Sequence, residues 1–568
     1  RQFTITIAVS VLLSTVVALT LSPVMCSLIL KPDSGKKKNI VFRKINEWLN
    51  LGNHKYVAVI NRVIRNPRRL MSAFGLVLVA IFIIHRLVPT SFLPVEDQGY
   101  FKIELELPEG ATLERTRVVT DRAVQYLEKN PYVAYVQNVT GSSPRVGSNQ
   151  ARSELTVILK PWEERKGISI DKIMENVEKD LKEYPECKVY LSTPPVIPGL
   201  GTSGGFEMQL EARGEATFDN LVQAADTLMY YAQKHKELTG LSSSLQSEIP
   251  QLYFDVDRDK VKMLGVPLAD VFSTMKAYTG SVYVNDFNMF NRIYKVYIQA
   301  EAPYREHKDN INLFFVKAKD GVMVPLTSLG NASYTTGPGS IKRFNMFTTA
   351  VIRGSAAQGY SSGQAMEIME QIARDHLPDN IGLEWSGLSY QEKKAGGQTG
   401  LVLTLVFLFV FLFLAAQYES WTVPIAVLLS LPVAALGAYL GVVICGLEND
   451  IYFQIGLVML VGLAAKNAIL IVEFAKVQVD KGGDLIQSAI HAAQLRFRPI
   501  LMTSLAFVLG MLPMVLASGP GSASRQAIGT GVFFGMIFAI VFGIVLVPFF
   551  FVLVYKTKAK VQHKIKKD

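Results

Sequence analysis

Seven stretches of this sequence are too long and too apolar to belong to a water-soluble core: Thr4–Leu30, Leu70–Leu87, Gly400–Ala416, Val423–Cys445, Ile451–Val472, Pro499–Ala517 and Ile528–Val554. A run of roughly 18 or more apolar residues is what a helix needs to cross a bilayer. A chain of 568 residues, 49% of them hydrophobic, that carries seven such runs reads as a polytopic membrane protein. Charge sets its direction. Lys36, Lys37, Lys38, Arg43, Lys44, Arg62, Arg65, Arg68 and Arg69 crowd between the first two spans, and the tail from Lys556 to Lys567 is also basic. Lys and Arg beside spans mark the cytoplasmic side, so these clusters need no nucleic acid to explain them. With both ends inside, the second span leaves the cytoplasm and the last five bring the chain back. The segment "IVFRKINEWLNLGNHKYVAVINRVI" has apolar residues at helical spacing with basic ones between, the pattern of a helix lying along a membrane surface.

The external block alternates short strands with amphipathic helices. "YFKIELELP" alternates with period two, "TLERTRVVTDRAVQYLEK" has helical spacing, and "SELTVILK", "SIDKIMENVEKDLKEY" and "CKVYLS" continue the order strand, helix, strand. This is the order of a split βαβ, or ferredoxin-like, unit. A similar cycle starts at "FEMQLEA" and returns near "GQAMEIMEQIARDHL". The expected fold is an α-helical polytopic membrane domain with a large α+β block of ferredoxin-like subdomains. Its expected divisions are a membrane helix (1–30), a cytoplasmic segment (31–69), a membrane helix (70–88), the external block (89–397), five membrane helices (398–555) and a basic tail (556–568).

The chain opens on Arg1 and enters an apolar run at once, without the n-region and cleavage site of a signal peptide. Its first span runs from Arg1-Gln2 through Pro23 to Lys31, and its last from Arg525-Gln526 through Pro548 to Lys556. Internal repeats of this kind are common in transporters, and the first span is expected to be the end of an earlier unit. Cys26, Cys187 and Cys445 form no CxxC, which suggests neither a zinc site nor a disulfide framework. No nucleophile–base pair, phosphate loop or metal-ligand cluster stands out, so an enzyme is not expected and no metal is assigned.

The most informative single residue is Lys466, in "GLAAKNAILIVEFAK". An ammonium in mid-membrane costs on the order of 3 kcal/mol on insertion scales, and it needs a counter-charge, loss of its proton, or a reach to the surface. Glu473 is the only acid in its helix, about 10 Å along the axis. No other span carries an acid well inside, so the partner of Lys466 is expected to lie outside this chain. Thr503 and Ser504 are polar and uncharged in the next span, and Arg496 precedes them near its cytoplasmic mouth.

"GLAAKNAILIVEFAK", "RFRPILMTSLAFVLGMLP", "SFLPVEDQGYF", "YESWTVP", "GSVYVNDF" and "GLSYQE" resemble the resistance-nodulation-division multidrug efflux pumps of Gram-negative inner membranes, in the hydrophobe/amphiphile exporter branch. The likeness covers essentially the whole chain, but only the C-terminal half of a family member. It implies a homotrimer driven by the proton motive force, with no cofactor, that works with a periplasmic adaptor and an outer-membrane channel. It implies that Lys466 is the relay lysine facing aspartates in the missing N-terminal half, with Thr503 the relay threonine and Arg496 an arginine near the proton exit. It also implies porter subdomains in 89–215 and 331–397 around a docking subdomain in 216–330. Phe206 and Met208 match positions of the drug cleft by their surrounding motif; the alternative reading of the pair is a strand-packed core. Where drug exporters carry a Phe-rich loop, this chain has "VTGSSPRVGSNQARSE", without an aromatic and with Arg145 and Arg152. The expected consequence is a flexible loop and substrates more polar or anionic than the usual cationic dyes. Two alternatives remain at this point: metal-ion efflux, and a half-length scaffold that does not transport.

Overall fold

The computed structural model describes residues 2–29, 40–143, 147–165, 167–182, 184–197, 199–201, 204–245, 247–357, 359–396 and 399–565. The Lys36–Lys38 cluster lies outside them. The chain begins with α1 (Gln2–Leu19) and α2 (Leu21–Ile29), which break the first span at Thr20. Next come α3 (Ile40–Arg65) and α4 (Pro67–Leu87). Pro67 opens α4, where its fixed φ suits the first turn and its missing N–H costs nothing.

The external block starts with β1 (Tyr100–Glu106), α5 (Leu113–Glu128), β2 (Val133–Ser143), β3 (Gly147–Leu159), α6 (Ile170–Leu181) and β4 (Lys188–Ser192). The strands form an antiparallel sheet in the order β2-β3-β1-β4. Alternate residues of the paired strands meet on one face, as Ile103 opposite Leu155 and Phe101 opposite Val157. That face packs against the buried stripes of α5 (Ala123, Leu127) and α6 (Ile173, Val177, Leu181). Thr112 and Ser169 cap the two helices through their hydroxyls. The segment expected as a flexible loop, 139–154, is mostly the β2–β3 hairpin, with Thr140 opposite Ser153 and Ser143 opposite Gly147. Its glycine and serine content suggested a loop, but the cross-strand ladder decides its form.

A second unit begins with β5 (Phe206–Ala212), α7 (Phe218–Ala232) and β6 (Leu238–Ser243). The chain then leaves it through β7 (Ile249–Val256), α8 (Arg258–Met263), α9 (Leu268–Met275), the hairpin β8 (Val282–Met289) and β9 (Arg292–Ile298), β10 (Phe315–Lys317), β11 (Met323–Pro325) and β12 (Gly330–Gly337). It returns with β13 (Lys342–Phe344), β14 (Phe347–Ala356), α10 (Ser362–His376), β15 (Ile381–Trp385) and α11 (Gly387–Gly396). β14 lies between β5 and β6, and β15 closes the other side of β5. Leaving out the β13 extension, this is the same second–third–first–fourth order as in the first unit. The inserted part has its own small core of Val261, Val271, Ile311, Phe314, Leu326 and Leu329. The expected boundary at residue 216 is corrected: Leu221, Ala225 and Leu228 of α7 pack with β5 and β14, so 218–243 belong to the second unit.

The remaining helices are α12 (Thr399–Tyr418), α13 (Val423–Leu428), α14 (Leu431–Cys445), α15 (Ile451–Asp480), α16 (Leu485–Val515), α17 (Ser522–Phe538) and α18 (Ile544–Ile565). Among the described residues, seven helical stretches are long and apolar enough to cross a membrane. α14, α15, α17 and α18 form the packed centre, whereas no described residue of the first span is buried. Small residues allow the closest approach: a Cβ on Gly437 or Gly441 of α14 would lie 2.6 Å from Phe538 or Phe534 of α17. α3 docks across α16 and α18. Its Tyr56 ring stacks on Phe497 at 4.8 Å, and its hydroxyl donates to the Ile544 carbonyl at 2.8 Å.

A short connector, residues 88–99, joins the membrane helices to the external units. The Asn449 N–H donates to the Pro89 carbonyl at 2.8 Å and the Gly363 N–H to Thr90 at 3.2 Å. Glu96 accepts the Ser524 N–H at the start of α17 at 2.8 Å, and Asp97 binds buried Arg165 at 2.8 Å.

Candidate functional site

The region around Lys466 is built by α15 and α16. Buried Asn467 donates to the hydroxyl of buried Ser504 at 3.0 Å and fixes the register of the two helices. The helices are consecutive and antiparallel, and each residue turns about 100° from the next. The residues preceding Asn467 and Ser504 therefore swing to one side of the pair. Those residues are Lys466 and Thr503, and both are exposed. Seven residues, close to two turns, carry the same face from Lys466 to Glu473 and from Thr503 back to Arg496. The Thr503 hydroxyl donates to the Pro499 carbonyl at 3.0 Å. The Arg496 guanidinium lies over the Phe474 ring at 5.2 Å, with its buried Nε unsatisfied. Lys466 has no ion-pair partner among the described residues. The three residues singled out from sequence thus share one face, exposed at Lys466 and Thr503 and half-buried at Arg496. The Asn467–Ser504 bond that aligns them was not anticipated, although both residues stand out as polar groups in apolar runs.

The pocket residues read from sequence do not come together. Phe206 and Met208 are 3% and 0% exposed, in the core between β5, β14 and the helices of the second unit. Phe206 packs edge-to-face on Trp385. Of the two placements open to this pair, the structure has the strand-packed core: β5 is an inner strand of its sheet, and both side chains lie in its packed interior. Arg145 lies outside the described residues. Arg152 is not free to hold a substrate anion. Its side chain is 4% exposed and meets Glu104 at 3.2 Å, Glu106 at 3.0 Å and Glu109 at 3.5 Å. The Ser143 hydroxyl donates to Glu104 in the same cluster. An open cleft of about 280 Å³ lies next to this cluster. It is lined by Glu109, Ser148, Asn149 and Gln150 of the first unit and by Ile249 and Ser340 of the second unit's insertion.

Sequence reasoning missed a set of acids where the membrane helices meet the external block. Asp450 is 2% exposed and caps α15 by accepting the Phe453 N–H at 2.7 Å. Burial pushes its carboxyl up to about 6, and the neighbouring Glu448 adds to this. Burial also raises Glu448 itself. Glu392 of α11 accepts from the Ser362 hydroxyl at 2.7 Å and is raised by burial, with Glu448 contributing. The signal was present as "GLEND" just before an apolar run, a cap position flanked by a second acid.

Known proteins match nearly the whole of this sequence. The AcrB/AcrD/AcrF family matches residues 1–555. The multidrug/solvent efflux pump membrane transporter MepB of Pseudomonas putida is 38% identical over 561 residues, covering 98% of this chain and 53% of that protein. Multidrug resistance protein MdtF of Escherichia coli (strain K12) is 39% identical, covering 98% and 54%. Multidrug export protein AcrF of the same strain is 37% identical over 563 residues, again covering 98% and 54%. The chain therefore spans about half the length of the curated relatives it matches. With a family match over nearly every residue, the chain belongs to the AcrB/AcrD/AcrF family.

Proposed function

We propose that this chain is the C-terminal half of a proton-driven exporter of small amphiphiles in the inner membrane of a Gram-negative bacterium. The observation that carries this reading is the face shared by exposed Lys466, exposed Thr503 and half-buried Arg496. A lysine at membrane depth, held in fixed register but without an acid, needs a carboxylate from outside the chain. In this reading relay aspartates of an N-terminal half face Lys466. Their protonation releases its charge, α15 and α16 shift, and the external units open or close the cleft between them. The names of the relatives support a multidrug or solvent cargo.

The two external units are read as ferredoxin-like porter subdomains, supported by their common strand order. The insertion between β6 and β13 is read as the docking part, which meets the outer-membrane channel and adaptor within a homotrimer. The β8–β9 hairpin supports this assignment, since it presents Tyr283, Phe287, Phe290 and Ile293 to the exterior. The anionic preference expected from Arg152 loses its support, because three carboxylates already surround that residue. In the complete pump, Lys466→Ala is expected to abolish export of a fluorescent substrate while expression and trimer assembly stay intact. Export at the native level would overturn the relay role.

A further inference from the structure

α3 has three faces, and only two are accounted for. At about 100° per residue, Leu49, Tyr56, Ile60 and Ile64 form one stripe, buried against α16 and α18. Glu47, Asn50, His54 and Asn61 form a second, polar stripe. The third combines two kinds of exposed residue. Trp48 is 62% exposed, Leu51 56% and Val59 43%, and Lys55 and Arg62 alternate with them. Where α3 passes into α4, Arg65, Arg68 and Arg69 are exposed as well. The only acid between Ile40 and Arg69 is Glu47, which pairs with Arg43 at 3.7 Å. The five cations of the third face and the joint therefore have no local counter-charge.

We propose that this face is a binding surface for anionic phospholipid. Trp48, Leu51 and Val59 enter the boundary between headgroups and acyl chains, while Lys55, Arg62, Arg65, Arg68 and Arg69 hold the phosphate groups. Three observations single out this occupant. The surface is continuous with α4, a span that starts at Pro67, so it lies at the level of the headgroups. Basic and aliphatic residues share one stripe, which suits an interface that is apolar on one side and charged on the other. Clusters of four to eight cations immediately beside a span concentrate anionic lipid. Nucleic acid would use the charges but would leave Leu51 and Val59 against water. The proposal rests on the membrane topology given above and is independent of transport.

The test uses the full chain in detergent micelles, titrated with phosphatidylglycerol or phosphatidylcholine carrying brominated acyl chains. Trp48 emission is taken as the difference between the native chain and Trp48→Phe. Brominated phosphatidylglycerol is expected to quench it at a several-fold lower mole fraction than brominated phosphatidylcholine. Replacing Lys55, Arg62, Arg65, Arg68 and Arg69 by Gln is expected to shrink that preference by about five-fold or more. These side chains are exposed, so circular dichroism and thermal unfolding of the variant should match the native chain. Equal quenching by the two lipids, no quenching, or an oligonucleotide that binds in preference to either lipid would each overturn the proposal. Topology is read separately, from labelling of His54→Cys by an impermeant maleimide in inside-out vesicles or in spheroplasts, in a chain whose free Cys26, Cys187 and Cys445 are replaced by Ser. Labelling in spheroplasts would overturn the topology while leaving the lipid measurement interpretable.

Discussion

Arg152 and Lys466 are both cations in places that disfavour charge, and their surroundings give them opposite roles. Arg152 is enclosed by Glu104, Glu106 and Glu109, so its charge is balanced within the first unit. Arg152→Ala leaves those carboxylates facing one another and is expected to cost about 3–5 kcal/mol, read as a fall in the unfolding temperature of the external block. Asp450 gives a prediction with a sign. Its carboxyl is held near 6, above the usual aspartate value of 3.8, so the folded chain binds its proton more tightly than the unfolded chain does. The stability this brings is complete below about 4 and is lost as pH rises through about 6. Asp450→Asn keeps a capping side chain and removes the titration. It is expected to raise stability at pH 7.5 by up to about 3 kcal/mol relative to the native chain and to flatten the pH dependence of melting between 4 and 7. Equal slopes for variant and native chain would show that Asp450 does not titrate there. At this scale the sequence was informative wherever a charge sat in an apolar run, as at Lys466. It pointed Arg152 toward a substrate anion and missed its carboxylate partners, because only strand pairing brings Glu104 and Glu106 alongside it.

The elements show why some features could be read ahead and others could not. Span number and position follow from local hydropathy, and the strand–helix order of the first unit follows from local periodicity. Helix pairing depends on which faces meet. The α14–α17 contact rests on Gly437 and Gly441 under Phe538 and Phe534, glycines that in sequence look like any others in an apolar run. Gly441→Val would set methyl groups against the Phe534 ring. It is expected to destabilise the bundle by about 1–3 kcal/mol, seen as a lower monodisperse yield in size-exclusion chromatography, whereas Gly462→Val, at an open position, should be tolerated. The second unit was hard to see for a related reason. Its second and third strands, β6 and β14, are separated by the whole inserted part, so neither local pattern nor proximity in the chain links them.

On the scale of the whole molecule, the centre of the membrane bundle is packed while its flanks are open. α15 is half buried, yet the side of it that carries Lys466 is uncovered, and α1 and α2 stand clear of the rest. A flank of this kind fits a chain that spans about half of its relatives' length. An antibody to the tail beyond Lys556 is expected to detect, in source membranes, a polypeptide about twice as long as this chain. A band at the length of this chain would instead require a separate subunit to supply the acids opposite Lys466. α15 itself has 30 residues, about 45 Å of unbroken rod, and the Asn467–Ser504 bond holds it near the middle. Its outer end is tied through Asn449 to the connector, and the connector reaches both external units. A helix packed along its length moves as a rigid rod, and that bond marks its midpoint. Tilting it by about 10° would carry the Asp450 end sideways by about 4 Å. In the relay reading proposed above, a change of charge at Lys466, about one residue's rise from that bond, would reach the connector as a sideways displacement of this size.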